Sequence, residues 1–118
     1  MRSEIITEFL SLIDRSKDLY FVAAQKVAEE NKRQQDLLHD IEFTTNGKVR
    51  NKLCTKLHRS RKERRHWKDI EEETKIIADF AEDPGVKTTI DRMKQMLGAL
   101  RKMERYHTDR TYVRRIQD

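Results

Sequence analysis

The chain has 118 residues, 40% of them charged, and 26 Lys or Arg against 21 Asp or Glu give a formal charge of +5. One domain is the prior at this length, and 27 Leu, Ile, Val and Phe make a core too narrow to enclose an elaborate active site, which disfavours an enzyme. A lone cysteine excludes an internal disulfide and a zinc framework, no apolar run approaches the ~20 residues of a membrane span, and Met1-Arg2-Ser3-Glu4 opens without a secretory apolar block. The expectation is a soluble cytoplasmic protein that needs no cofactor or metal and does not engage membrane.

One Pro and three Gly leave few turns, so the fold class expected is all-α. The reading is two long helices and a shorter third in an elongated bundle or antiparallel coiled coil, forming a single domain over 1–118. The helices are expected at about 3–42, 47–82 and 86–107, with an extended basic tail over 108–118.

Ser3 reads as the N-cap of the first helix, and Ile6, Ile13, Tyr20 and Val27 recur at a spacing of seven. A second row, Ile5, Leu12 and Leu19, widens the apolar stripe beyond a two-stranded seam and calls for at least two neighbours. Residues 29–36 are polar without a break. Either the helix crosses solvent there or Asn31 and Gln34 form a polar layer inside a coiled coil. The solvent crossing is the preferred reading. Leu37, Leu38, Ile41 and Phe43 restore apolar character before Thr44-Thr45-Asn46-Gly47, the clearest turn in the chain.

The second helix starts near Asn46 or Gly47 and aligns Val49, Leu53, Leu57, Ser60, Arg64 and Trp67 on one face. That stripe is thin where Ser60 and Arg64 stand in place of Leu; Ile70, Ile76, Ile77 and Phe80 thicken it again. A continuous helix through Asp69 to Glu72 is favoured over a break. Asp83-Pro84-Gly85 ends it, and the third helix opens at Pro84 or at the capping box Thr88-Thr89-Ile90-Asp91. Ile90, Met93, Met96, Leu97, Leu100 and Met103 then point inward.

Charge is segregated along the chain. Residues 48–68 hold ten Lys or Arg, His58, His66 and a single acid, Glu63, for +9; residues 1–47 carry −3, 69–83 carry −6 and 84–118 carry +5. Arg59, Arg61, Lys62, Arg64, Arg65 and Lys68 lie on several faces of one helix, so some must point outward whichever face is buried. Phosphate oxygens complement such a surface through charge and bidentate guanidinium hydrogen bonds. Two alternatives stand beside that reading: internal pairing with acidic strips, and an acidic protein partner. A basic-region zipper needs several heptads after the basic helix, and Pro84 allows barely two. Trp67 is the only aromatic in the strip, which leaves no stacking platform for single strands. Any nucleic-acid contact is therefore mostly to backbone.

The remaining constellations read as structure. Cys54 and His58 stand at i, i+4, the edge of a metal site, but lack further ligands and read as a buried thiol beside a surface His. Glu71, Glu72 and Glu73 diverge around a helix and cannot converge on one cation. His39, His66 and His107 have no triad-like context. The methionines at 93, 96 and 103 read as core filler.

Four segments carry a family resemblance: 34–42 (Gln34-Gln35-Asp36-Leu37-Leu38-His39-Asp40-Ile41-Glu42), Arg61-Lys62-Glu63-Arg64-Arg65 with Lys68-Asp69, Leu97-Gly98-Ala99-Leu100-Arg101-Lys102, and Arg110-Thr111-Tyr112 with Arg114. In order and character they resemble the small helical accessory proteins encoded in early regions of temperate phages and prophages of Gram-positive bacteria. The resemblance implies a viral or prophage origin, action in the bacterial cytoplasm and a non-enzymatic role. Such proteins often occupy host machinery, including defence nucleases and transcription complexes. The functional expectation is a helical binding protein whose second helix contacts nucleic acid or a nucleoprotein complex. Its alternative is an inhibitor or scaffold that docks on a host protein, through helix faces that include the thin seam at Ser60 and Arg64. A homodimer is also expected, because long helices leave apolar ends uncovered.

Overall fold

The computed structural model describes residues 1–111 and 116, which form three α-helices and, among the described residues, no strand. They are α1 (Arg2–Phe43), α2 (Gly47–Glu82) and α3 (Pro84–Asp109). The chain is all-α, with two long helices and a shorter third. α2 is unbroken through Asp69 to Glu72.

The helix ends follow from specific caps. At α2 the Asn46 side-chain oxygen accepts from the amides of Lys48 (2.9 Å) and Val49 (3.2 Å), two donors that the helix itself leaves unmet. At α3 the extended residue Asp83 accepts from the Val86 amide at 3.1 Å, and Pro84 occupies the first turn, where its missing N–H costs nothing. α3 accordingly starts at Pro84, ahead of the expected 86. The Thr88 and Thr89 hydroxyls donate back to the carbonyls of Pro84 and Gly85, as side chains inside a helix do, so neither is a cap. Thr108 and Asp109 are helical and leave the expected tail shorter; Arg110 is extended, and its N–H donates to the Tyr106 carbonyl. Residues 112–115, 117 and 118 of that tail lie outside the described residues.

Packing divides the chain into two compact units, Ile13–Ala81 and Met1–Leu12 with Glu82–Asp118. In the first, α1 from Ile13 onward and α2 form an antiparallel hairpin. Ile13, Ala23, Val27 and Leu37 are buried from α1, and Ala78 and Ala81 from α2. The α2 seam continues from Ser60 through Thr74, Ala78 and Ala81 in alternating steps of three and four. Small residues there allow close approach of the backbones. Ile76 and Phe80, expected inward, fall on the far side of that row and are exposed, as is Val49 at the other end. Side-chain size misplaced them; the phase of the seam decides.

The second unit pairs the first turns of α1 with α3. Ser3 donates to Glu104 through both its amide (3.0 Å) and its hydroxyl (2.5 Å), and Arg101 donates to Thr7 at 2.8 Å, so the two helices run in opposite directions. Ser3 is thus a buried partner of α3 inside the helix, not the cap expected of it. Leu10 and Leu97 are buried between the two helices, with Ile6, Val86, Ile90, Met93 and Leu100 half-buried. Met96 and Met103 lie outside this row at 50% and 52% exposure and do not fill the core. Ile5 of the second α1 row is exposed as well.

The hydroxyl and amide of Ser3, then the nearby N-terminus and Arg101, hold the Glu104 carboxyl below the ordinary carboxylate range against the opposing effect of burial. A native pKa below the unfolded value adds stability that is fully present above the unfolded pKa of about 4.3 and is lost as pH falls through the native one. Thermal melts taken from neutral pH into acid should therefore show a steeper acid limb in the wild type than in Ser3→Ala. Parallel limbs in the two proteins would exclude this contact as the source.

Candidate nucleic-acid interface

The polar stretch at 29–36 does not cross solvent. Glu30 is 5% exposed and Ser60 4%, and the Ser60 hydroxyl donates to the Glu30 carboxyl at 2.6 Å. One turn along, the Arg64 Nε donates to the Asn31 side-chain oxygen at 2.7 Å. Arg33 reaches the second Glu30 oxygen at 3.3 Å from its own helix. The seam positions that looked thin are thus filled by a polar contact of α1 with α2 whose buried member is Glu30, whereas Asn31, expected with Gln34 as the alternative polar layer, is exposed and Gln34 half-buried. Buried polar groups carry a desolvation cost that hydrogen bonds must offset, and here each side supplies the other's partner. Gln34, half-buried beside this layer, keeps its amide nitrogen buried without a partner.

This layer fixes the rotation of α2 and so distributes the basic side chains. Arg61, Arg64 and Arg65 converge with Asn31 and Gln34 around one open groove of about 560 Å³. Arg64 is half-buried, with its Nε spent on Asn31, whereas Arg61 and Arg65 are exposed. Lys68 lies farther along the same flank, half-buried, with its ammonium 3.4 Å from Glu71. Arg59 is on the other flank, lining a mixed-charge groove of about 530 Å³ with Lys26, Glu29, Glu30, Lys56, Glu63 and Trp67. Lys62 points away from both. The six candidate residues therefore do not form one surface: three share a groove, and three stand apart.

Electrostatic partners inside the fold are few. Arg65 lies 3.9 Å from Asp69 and Lys68 contacts Glu71, both pairs within α2 and the former exposed, where a pair is worth ~0–1 kcal/mol. Glu63, the strip's only acid, accepts from the Trp67 indole at 3.0 Å. Among the described residues, no Lys or Arg of 48–68 forms an ion pair with an acid of α1. The nearest approach to neutralisation by α1 is the groove that Lys56 and Arg59 share with Glu29 and Glu30.

Cys54 is exposed, not buried, because the seam passes through Leu53 and Leu57 and leaves position 54 outside. The sequence also missed Glu30 as a partner of α2. A polar residue continuing the step of three and four from Ala23 and Val27 to Leu37 was the available signal.

Substituting Ser60→Ala leaves the Glu30 carboxyl without its neutral donor and should cost about 1–3 kcal/mol in urea unfolding of the full chain. Combining it with Glu30→Leu removes both polar groups, and the double variant should recover to within about 1 kcal/mol of wild type. A double variant weaker than either single would contradict the geometry.

No known protein family, curated protein or solved structure matches the chain, so the functional argument rests on this site's own geometry.

Proposed function

We propose that the protein is a non-catalytic helical binding protein whose α2 contacts the phosphate backbone of nucleic acid, free or carried by a host complex. The observation that carries this is the density of the basic strip: ten Lys or Arg within 48–68, none paired to an acid of α1 among the described residues. Internal compensation is confined to the end of the strip, where Arg65 and Lys68 pair with Asp69 and Glu71 of the acidic segment. The groove of Arg61, Arg64 and Arg65 is where guanidinium groups gather most closely, and planar donors at that density match phosphate oxygens. Its neighbours Asn31 and Gln34 are polar and uncharged, so nothing in the lining repels an anion.

Docking on a host protein alone drew on an open seam at Ser60 and Arg64, and both residues are engaged by α1. The polyanion reading is therefore the one argued. A phage or prophage origin and a place in the bacterial cytoplasm belong to the same proposal, on the strength of the family resemblance. Such a protein would act on host machinery by covering a phosphate-bearing surface.

The test is binding of the full chain to duplex DNA and to RNA across a salt series. Each neutralised phosphate contributes about −0.9 to the slope of log K against log salt on duplex DNA, so three arginine contacts give roughly −2.7. Arg61→Ala with Arg65→Ala, both exposed and free of contacts to α1, should flatten that slope by nearly two without changing helicity. A salt-independent affinity, or no retention at low salt, would sink the proposal. Survival of a host complex after nuclease treatment would assign the surface to a protein partner instead.

A further inference from the structure

The unit of Met1–Leu12 and Glu82–Asp118 carries a second apolar face that its own two helices leave uncovered. Ile5 is 70% exposed, Phe9 44%, Met96 50%, Met103 52% and Tyr106 61%. On α3 these fall on the row 96, 99, 103 and 106, which repeats the three-and-four step of the inward row 90, 93, 97, 100 and 104. On α1, Ile5 and Phe9 are one turn apart. The Arg101 to Thr7 hydrogen bond marks one edge of the antiparallel pair, and a rotation of about 100° per residue puts Phe9, Met96 and Met103 together along the other. Each helix thus has one stripe turned inward and one turned out. That is the pattern of a helix in a four-helix bundle, not of one in an isolated pair.

We propose that this face binds a second copy of the chain, closing two helix pairs into a four-helix bundle about a two-fold axis. The exposed area of the five side chains is on the order of 600 Å², at the upper end of the roughly 300–600 Å² of the largest patch on a typical monomer and approaching the ~800 Å² each partner contributes to a stable interface. Charge selects the pairing. Residues 1–12 carry one base and two acids, whereas α3 over 84–109 carries six bases and three acids. With the N-terminal ammonium the α1 segment is neutral, so a two-fold that lays α1 of one copy on α3 of the other avoids the like-charge contact that α3 on α3 would make. The two apolar rows are the same in both copies, as an isologous interface requires. This inference is independent of the nucleic-acid reading.

Sedimentation equilibrium of the full chain decides it. The expected species at micromolar concentration has twice the chain's 14.2 kDa. Phe9→Glu with Met103→Glu should weaken the dimer by about 100-fold or more, because two charges would be buried at the interface centre. If that variant loses its helical circular dichroism, Met103→Gln is the milder probe and should weaken the dimer at least ~5-fold. Ile76→Glu, an exposed apolar position of the other unit, should leave the constant unchanged. A wild type that remains at 14.2 kDa up to high micromolar concentration overturns the proposal. So does a dimer insensitive to Met103→Gln, or one dissociated by Ile76→Glu.

Discussion

A pair of packed helices can bury one stripe from each partner and no more, and this constraint governs the molecule. In both units the protected interior is a single seam: among the described residues no large side chain is fully enclosed, and those with no exposure at all are Ala23 and Ala81. Burial contributes roughly 25 cal/mol per Å² of apolar surface, so a seam of Leu, Ile, Val and Ala leaves little margin over conformational entropy. Polar contacts at the seam therefore matter more than they would in a thick core. Ser3 with half-buried Glu104 in one unit and Ser60 with buried Glu30 in the other place a short hydroxyl against a carboxyl, a pairing that specifies which residues must be opposite each other.

The Ser60 to Glu30 layer links packing to surface chemistry. If α2 were rotated by one residue the hydroxyl would leave the seam, Glu30 would lose its donor, and a basic neighbour, Arg59 or Arg61, would turn inward. A long guanidinium side chain in a place shaped for a serine would overpack the seam and take a second charge out of water. The polar layer and the outward display of guanidinium groups thus select the same register. Positions that looked like a defect in the hydrophobic pattern hold the basic face in place.

Much of the fold was legible in the sequence. The turn at Thr44 to Gly47 and the Asp83-Pro84 junction are local signals with local causes, and the seven-residue row of Ile6, Ile13, Tyr20 and Val27 stays inward. What escaped reading depended on the partner helix. Nothing in residues 29–36 alone says that Ser60 and Arg64 lie opposite, so a polar run was taken for solvent exposure. Likewise Ile76 and Phe80 are larger than Thr74, Ala78 and Ala81, yet close approach of α1 favours the small row. The candidate basic residues were identifiable as a group; their division between two grooves followed only once the seam's phase was known.

The geometry also bounds what a polyanion contact through α2 could achieve. Turns of an α-helix rise ~5.4 Å, and successive residues rotate by about 100°, so a straight phosphate backbone meets only one row of the strip at a time. Along the row of Arg61, Arg64 or Arg65, and Lys68, the last ammonium already has Glu71 as a neighbour, and beyond it the chain turns acidic. Phosphates approaching past Lys68 would meet the −6 of residues 69–83. The acidic segment therefore acts as a fence at one end of the basic strip, confining the contact to a few phosphates. With no aromatic platform in the strip, discrimination on this reading comes mainly from shape and charge spacing. Such a contact would be sensitive to salt and governed by the spacing of charges more than by base sequence.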